Sequence, residues 1–547
     1  MPPIANGKAE SKSKVHKSAL CIRSYKEKKN QVMLETRKLT RKAKGMKTQG
    51  LIFLLLIFLA ACKREVYQPP EATPAGPFVI IDGTSMPLQA LLPPTRGVGT
   101  PLVTPTPDQP HLLPSPRQEA EQYIVQSGDT LGEIARRFGL SPEILATANN
   151  LPDPNQLEVG QVLIIPAPSA GLTGSAIKII PDSELVYGPA SITLDLPDFI
   201  RRRQGYLATY RQEVDGSLLD GAAIIQKVAE NYSVNPRLLL AILEHRSQWL
   251  SSTNPPAESL DYPLRYYDPQ RVGLYRQLTW AANELNRGYY AWRAGSVTNW
   301  VLADGSLVTV EPTINAGTAA VQHLFAQLDE YDAWKADTGY RGVFQTYFFL
   351  FGPPFDLAIE PLLPPNLSQP FLELPFANDE IWQFTGGPHG GWSDGSAWAA
   401  LDFAPPGEPQ GCAVSDAWVT ASANGLILRT GEGAVIQDLD GDGYEQTGWV
   451  LLYMHIESRD RILPGTRVKV GDRIGHPSCE GGQSNGTHVH IARRYNGEWI
   501  PADGAVPFVL SGWQAEGTGT AYDGYLRRNG QVVEAWEGSR PENQIQR

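Results

Sequence analysis

The sequence predicts a multidomain α+β protein: a small βααβ module, a mainly α-helical middle domain, and a mainly antiparallel β domain toward the C-terminus. Three observations predict it. A chain of 547 residues holds about three to four domains of ordinary size. Apolar periodicity changes along the chain, from strand–helix–helix–strand at 122–167, to helical spacing over 185–375, to short apolar runs between Gly, Asp and Asn turns after 376. Hydrophobic residues make up 42% and charged residues 19%, enough to fill several cores.

The N-terminal part is of a different kind. Residues 1–61 carry fourteen Lys and Arg against three Glu, and the other 486 residues have a net charge of −22. An overall charge of −11 argues against a nucleic-acid partner. The one long apolar run, Leu51–Ala61, has eleven residues, whereas a membrane-spanning helix needs about 20. Its length, its basic flank and its Leu59-Ala60-Ala61-Cys62 end resemble a bacterial lipoprotein signal peptide. The resemblance implies acylation at Cys62, a membrane partner through that lipid, and an extracytoplasmic, lipid-anchored location in the cell envelope. Met46, just upstream, is the expected translation start. Cys21 then falls in the leader, and Cys412 and Cys479 remain as a pair in a compartment where disulfides survive. Residues 62–121 read as an extended linker, with thirteen prolines between Pro69 and Pro116.

Residues 122–167 form the βααβ module. Thr130 and Glu133 make a capping box, Ser141-Pro142 opens a second helix, and Val162–Ile165 returns as a strand. The segment resembles a LysM domain over its whole length. That implies binding of N-acetylglucosamine-containing glycans, here peptidoglycan, through Gly128, Asp129 and Thr130 in one loop and Leu151 and Asn155 in another.

Helical patterns run through residues 185–375, among them Gly221–Glu230, a helix opened by Asn235-Pro236, Leu278–Trp292 and Thr318–Leu328. The segment VNPRLLLAILEHRSQWL resembles the catalytic helix of lysozyme-like lytic transglycosylases, which places Glu244 at the general acid. The family's Ser after that Glu is His245 here. Glu244 as an ordinary helix-end carboxylate fits the residues equally well.

In the β domain, residues 376–515, chemistry gathers at four places, one of them the flexible Gly481–Gly486 approach to the last strand. Asp402 offers a carboxylate and His455 an imidazole, while His488 and His490 stand at i and i+2, on one face of a strand. Two imidazoles and a carboxylate suit zinc with one position open to water. The order DFAPPG, VTASANG, LLYMHI, PGTRVKVGDRIG, GTHVHI resembles the lysostaphin-type zinc endopeptidases over about 135 residues. The resemblance implies Zn2+ on Asp402 and His490, His455 and His488 in catalysis, and peptidoglycan peptides as substrate. The family's further zinc histidine, four residues before the Asp, is Trp398 here. His389, in a Gly-rich stretch, is the expected substitute, with His476 as a weaker candidate. A degenerate, non-catalytic wall-binding scaffold or hydrolase activator is the alternative that Trp398 leaves open. Asp438, Asp440 and Asp442 match half of a calcium loop, but position 12 is Trp449. A Ca2+-binding turn and a plain Asp/Gly hairpin both fit. Residues 516–547 read as a C-terminal tail.

Overall fold

A computed structural model describes residues 78–81, 84–87 and 119–547, apart from 127, 154–155, 168–171 and 408–410. The basic leader, most of the Pro-rich segment, Cys62 and Asn155 lie outside the described residues. Phe78–Ile81 and Thr84–Pro87 pair as an antiparallel hairpin.

The βααβ module folds as its pattern requires. Strands β1 (Glu121–Ile124) and β2 (Val162–Ile165) pair antiparallel, and helices α1 (Leu131–Arg137) and α2 (Pro142–Ala148) lie between them in sequence. Thr130 and Glu133 exchange side chain-to-backbone hydrogen bonds at the start of α1, and Ser141 Oγ accepts from the Ile144 amide at the start of α2. Leu131, Ile134, Leu145, Leu163 and Ile165 are buried in a small core, which Leu307 of the next module completes.

The middle module contains α3 (Leu196–Arg203), α4 (Gly221–Tyr232), α5 (Pro236–Ser247), α6 (Leu274–Arg293), α7 (Ala316–Ala326), α8 (Tyr331–Asp337) and α9 (Val343–Phe351). Asn235 caps α5, and Leu238–Leu243 are buried all round it, as its unbroken apolar run foretells. Gly288 lets α7 press against α6, since a Cβ there would lie 2.6 Å from the His323 Cβ. A buried ion pair, Arg237 to Glu184 at 3.1 Å, sits in this core. Burial raises the Glu184 carboxyl above its ordinary value against the pull of Arg237.

The C-terminal module is built on β3 (Trp382–His389), β4 (Ala400–Ala404), β5 (Gly425–Gly431), β6 (Ala434–Asp438), β7 (Trp449–Met454), β8 (Arg467–Val468), β9 (Val489–Tyr495) and β10 (Gln544–Ile545). The spatial order is β8-β5-β6-β7-β9-β4-β3-β10, every pairing antiparallel, with Glu498–Trp499 pairing on β9. Both faces are covered. Leu401, Phe403, Leu451, Tyr453, Val489 and Ile491 enter one core, and Ala400, Val450, Leu452 and Ala492 enter the other. That two-sided burial explains why β7 reads as a continuous apolar run rather than an alternating one. Trp499, Trp392 and, from α6, Tyr290 close the second face.

Residues 516–547 correct the tail expectation. Trp513–Gly517, Gly524–Arg528 and Gln531–Glu534 join Val509–Leu510 in a four-stranded sheet, and β10 pairs with β3. Trp513, Leu526, Val533 and Ile545 are buried, and the intervening Gly, Glu and Arg residues mask that alternation in the sequence. Among the described residues, no helix is long and apolar enough to cross a membrane.

Candidate metal centre

Strand register assembles the site. Gly386 lies opposite Asp402, Asp402 opposite His490, and His490 opposite Met454, the residue before His455. Three neighbouring strands therefore bring His389, Asp402 and His490 to one point. His455 follows at the end of β7 in a left-handed conformation, φ 63°, uncommon for a residue with a side chain and typical of functional sites.

At that point His389 Nε2 lies 3.3 Å from Asp402 Oδ1, His490 Nδ1 lies 3.2 Å from the same oxygen, and the two nitrogens are 2.9 Å apart. All three residues are buried. The outer nitrogens are occupied: His389 Nδ1 is 2.8 Å from the Gly387 carbonyl, and His490 Nε2 is 3.1 Å from the Gly391 carbonyl. A carbonyl can only accept, so these contacts assign N–H to the outer nitrogen of each ring. Each inner nitrogen then offers a lone pair, and both lone pairs converge with a carboxylate oxygen that has no hydrogen-bond partner. Three facing electron pairs repel unless a cation stands among them. The spacings match the edge of a tetrahedron around zinc, about 3.4 Å for ligand distances near 2.1 Å. The donor set, two imidazoles and one carboxylate with outer-shell carbonyls, fits zinc.

Burial alone would raise the Asp402 carboxyl, but the imidazoles of His389, His488 and His490 around it hold it well below its ordinary value. Burial lowers His490, and it lowers His455 to about 3 with reinforcement from His488 and His490. The His455 and His488 rings are 4.4 Å apart. Each is anchored through Nδ1, His455 to the Glu480 carbonyl at 3.1 Å and His488 to the Gly486 carbonyl at 2.8 Å. This leaves Nε2 of each as an acceptor, with His488 Nε2 3.8 Å from Asp402 Oδ2.

The other expected residues stand elsewhere or have additional partners. Glu244 Oε2 accepts from the Leu250 and Ser251 amides, at 2.8 and 3.3 Å. His476 binds the Ala417 carbonyl through Nδ1 and lies tilted at 44° against the Trp418 ring, apart from the triad. Asp129 accepts from the Tyr123 hydroxyl and the Gln126 amide, both at 2.7 Å, so it also braces its loop. Gly128 has φ 92°, a turn that only glycine adopts readily. Leu151 packs at the edge of the module's core. Asp438, Asp440 and Asp442 place ligand oxygens within 4.8 Å of one another, but Asp438 already accepts from the Asp440, Gly441 and Gly443 amides. Cys412 and Cys479 are disulfide-bonded. Sequence reasoning missed Tyr522, whose ring stacks on His389 with centroids 4.1 Å apart and whose φ is +66°. Its one signal was an aromatic in a Gly/Thr/Asp turn.

A LysM domain model matches residues 123–166, and the model of the LasA N-terminal domain matches residues 178–365. Protease LasA of Pseudomonas aeruginosa is 25% identical over 309 residues, 53% of this chain and 69% of the relative. A beta-lytic metalloendopeptidase of Achromobacter lyticus is 30% identical over 173 residues, 29% of this chain and 43% of the relative. The solved structure of the M23 metalloprotease pseudoalterin from the deep sea is 25% identical with a TM-score of 0.27, covering 33% of this chain and 99% of that one. The middle module, which the sequence likens to lysozyme-like enzymes, thus has its match in the LasA N-terminal domain.

Proposed function

We propose that the chain is a zinc metalloendopeptidase that hydrolyses peptide bonds of peptidoglycan and is held on the wall by its LysM module. The observation that carries this is the convergence of His389 Nε2, Asp402 Oδ1 and His490 Nδ1, each with its lone pair facing the same point. Similarity to protease LasA and to a beta-lytic metalloendopeptidase supports a metalloendopeptidase acting on cell walls, and the LysM match supports peptidoglycan as the surface bound.

His389, Asp402 and His490 would hold zinc, whose Lewis acidity would polarise the scissile carbonyl and ease deprotonation of the attacking water. The chain supplies the rest. The Gly387 and Gly391 carbonyls fix the two ligand imidazoles in the tautomer that presents a lone pair inward. His455 and His488, anchored through Nδ1, present Nε2 to take a proton from the attacking water and return it to the leaving amine. Once protonated, either ring becomes a donor that steadies the tetrahedral oxyanion. Tyr522 covers the free face of His389 and limits its rotation.

The proposal extends to the envelope: acylation at Cys62 tethers the chain to a membrane, and the loops at Gly128–Thr130 and Leu151–Asn155 grip glycan strands. The metal-free scaffold reading rests on Trp398 standing where the family carries a histidine; the meeting of His389 with Asp402 and His490 argues against it. For Glu244, two backbone amides on the carboxylate favour a helix-end role over glycan cleavage. Digestion of purified peptidoglycan in chelator is the test. The expected result is loss of peptide cleavage and its return with added zinc. Unchanged digestion in excess chelator, or none by zinc-loaded protein, overturns the reading.

A further inference from the structure

We infer that helix α6 of the middle module is a positioning element for the metal centre, acting through Asn283, Arg287 and Tyr290 on the carbonyl that orients His490. The inference rests on the zinc reading above. These residues stand at i, i+4 and i+7, one face of the helix.

That face grips the segment carrying Gly391 from two sides. Asn283 accepts from the Gly395 amide at 2.9 Å and donates to Asp394 at 2.8 Å through its side-chain amide. Arg287 binds the other Asp394 oxygen at 2.8 Å, and this guanidinium holds the exposed carboxyl below its ordinary value. The fit is close, because a Cβ on Gly395 would lie 2.1 Å from the Asn283 carbonyl oxygen. On the far side, the Tyr290 hydroxyl accepts from the Trp499 amide at 2.9 Å. The Trp499 ring walls Gly391, where a Cβ would meet it at 2.6 Å.

Between these two holds the segment folds on itself. The Gly391 amide donates to the Ala397 carbonyl, and the Trp392 amide donates to Ser396 Oγ. The Gly391 carbonyl that results lies 3.1 Å from His490 Nε2 and sets which nitrogen of that ring bears the proton. A loosened segment frees His490 to turn or change tautomer, and the lone pair that meets the metal is lost with it. Asn283, Arg287 and Tyr290 are not among the converging donors His389, Asp402 and His490. Their effect passes through Gly391 to His490, so they are positioning residues. Partners of metal-bound histidines are typically worth about 10- to 100-fold in metal affinity.

The test uses the full chain, loaded with zinc, and follows loss of the metal to a chromogenic chelator. The parent is compared with Asn283→Ala/Arg287→Ala, with Arg287→Lys, and with Lys227→Ala. The last cuts a different contact between the same two modules, the ion pair from Lys227 to Glu432. Thermal melting of each chain checks that it is folded. The expected result is zinc loss at least about 10-fold faster in the double variant, within about 2-fold of the parent in Lys227→Ala, and intermediate in Arg287→Lys. The histidine 15N spectrum of the zinc-free double variant should show His490 losing its single tautomer. A folded double variant that keeps zinc as long as the parent overturns the inference. So does equal acceleration in Lys227→Ala, which would mean that any loosening of the modules suffices. A parent chain that takes up no zinc overturns the metal reading itself and this inference with it.

Discussion

Gly386 contributes no side chain, yet the candidate metal centre depends on what it lacks. It faces Asp402 across β3 and β4, and a Cβ there would lie 2.6 Å from Asp402 Oδ2 and 3.0 Å from its Cβ and Cγ. Gly386→Ala must displace the carboxylate from the two imidazoles. Zinc affinity should fall by at least about 10-fold, measured by competition with a chelator of known affinity. His389 and Asp402 were both legible in the sequence, because a Gly-rich approach and a DFAPPG motif marked them. Tyr522 was not. Nothing in its neighbours says that a turn between two strands will fold back over His389, and long-range contact of that sort leaves no periodic trace.

At the scale of elements, the disulfide and the last strands do more for the site than their sequence suggests. Cys412 and Cys479, 67 residues apart, tie down the segment whose Gly411 and Ala413 carbonyls accept from the Thr487 amide and hydroxyl. Thr487 leads directly into His488. Replacing both cysteines by Ser should cost about 4 kcal/mol in denaturant unfolding by the loop-entropy account, and should slow cleavage more than it weakens wall binding. Glu498, beside β9, meets Arg293 at 3.1 Å and Tyr289 at 3.4 Å from α6. Burial pushes its carboxyl up to about 7 despite Arg293. Folded chain therefore keeps a proton that unfolded chain has lost above its ordinary value of 4.5. The associated stability is complete below 4.5 and lost as pH rises through 7. Melting temperature should fall over that window, and Glu498→Gln should flatten the fall. The strands of β7 and β9 and the caps of α1, α2 and α5 were plain in the sequence because each rests on local signals. Residues 516–547 read as a tail because their strands are short, half-polar and broken by glycines, and only pairing with Trp513–Gly517, with one another and, for β10, with β3 gives them a place.

At the scale of the whole molecule, the three modules share the work. In the proposed function the LysM module supplies wall affinity and the C-terminal module carries the candidate metal centre, while the middle module packs α6 against the second face of the large sheet. Deleting residues 1–170 should weaken binding to intact wall by at least about 10-fold and leave cleavage of a short soluble peptide nearly unchanged, because tethering acts through local concentration. Pull-down on insoluble peptidoglycan and a peptide assay separate the two effects. His389 is proposed to complete a zinc site where Trp398 occupies the position of the histidine in lysostaphin-type enzymes. Zinc content by elemental analysis of the parent and of His389→Ala, both shown to be folded, tests it most directly. Close to one zinc per parent chain and a small fraction of that in the variant are expected. A full equivalent of zinc retained by His389→Ala would contradict it.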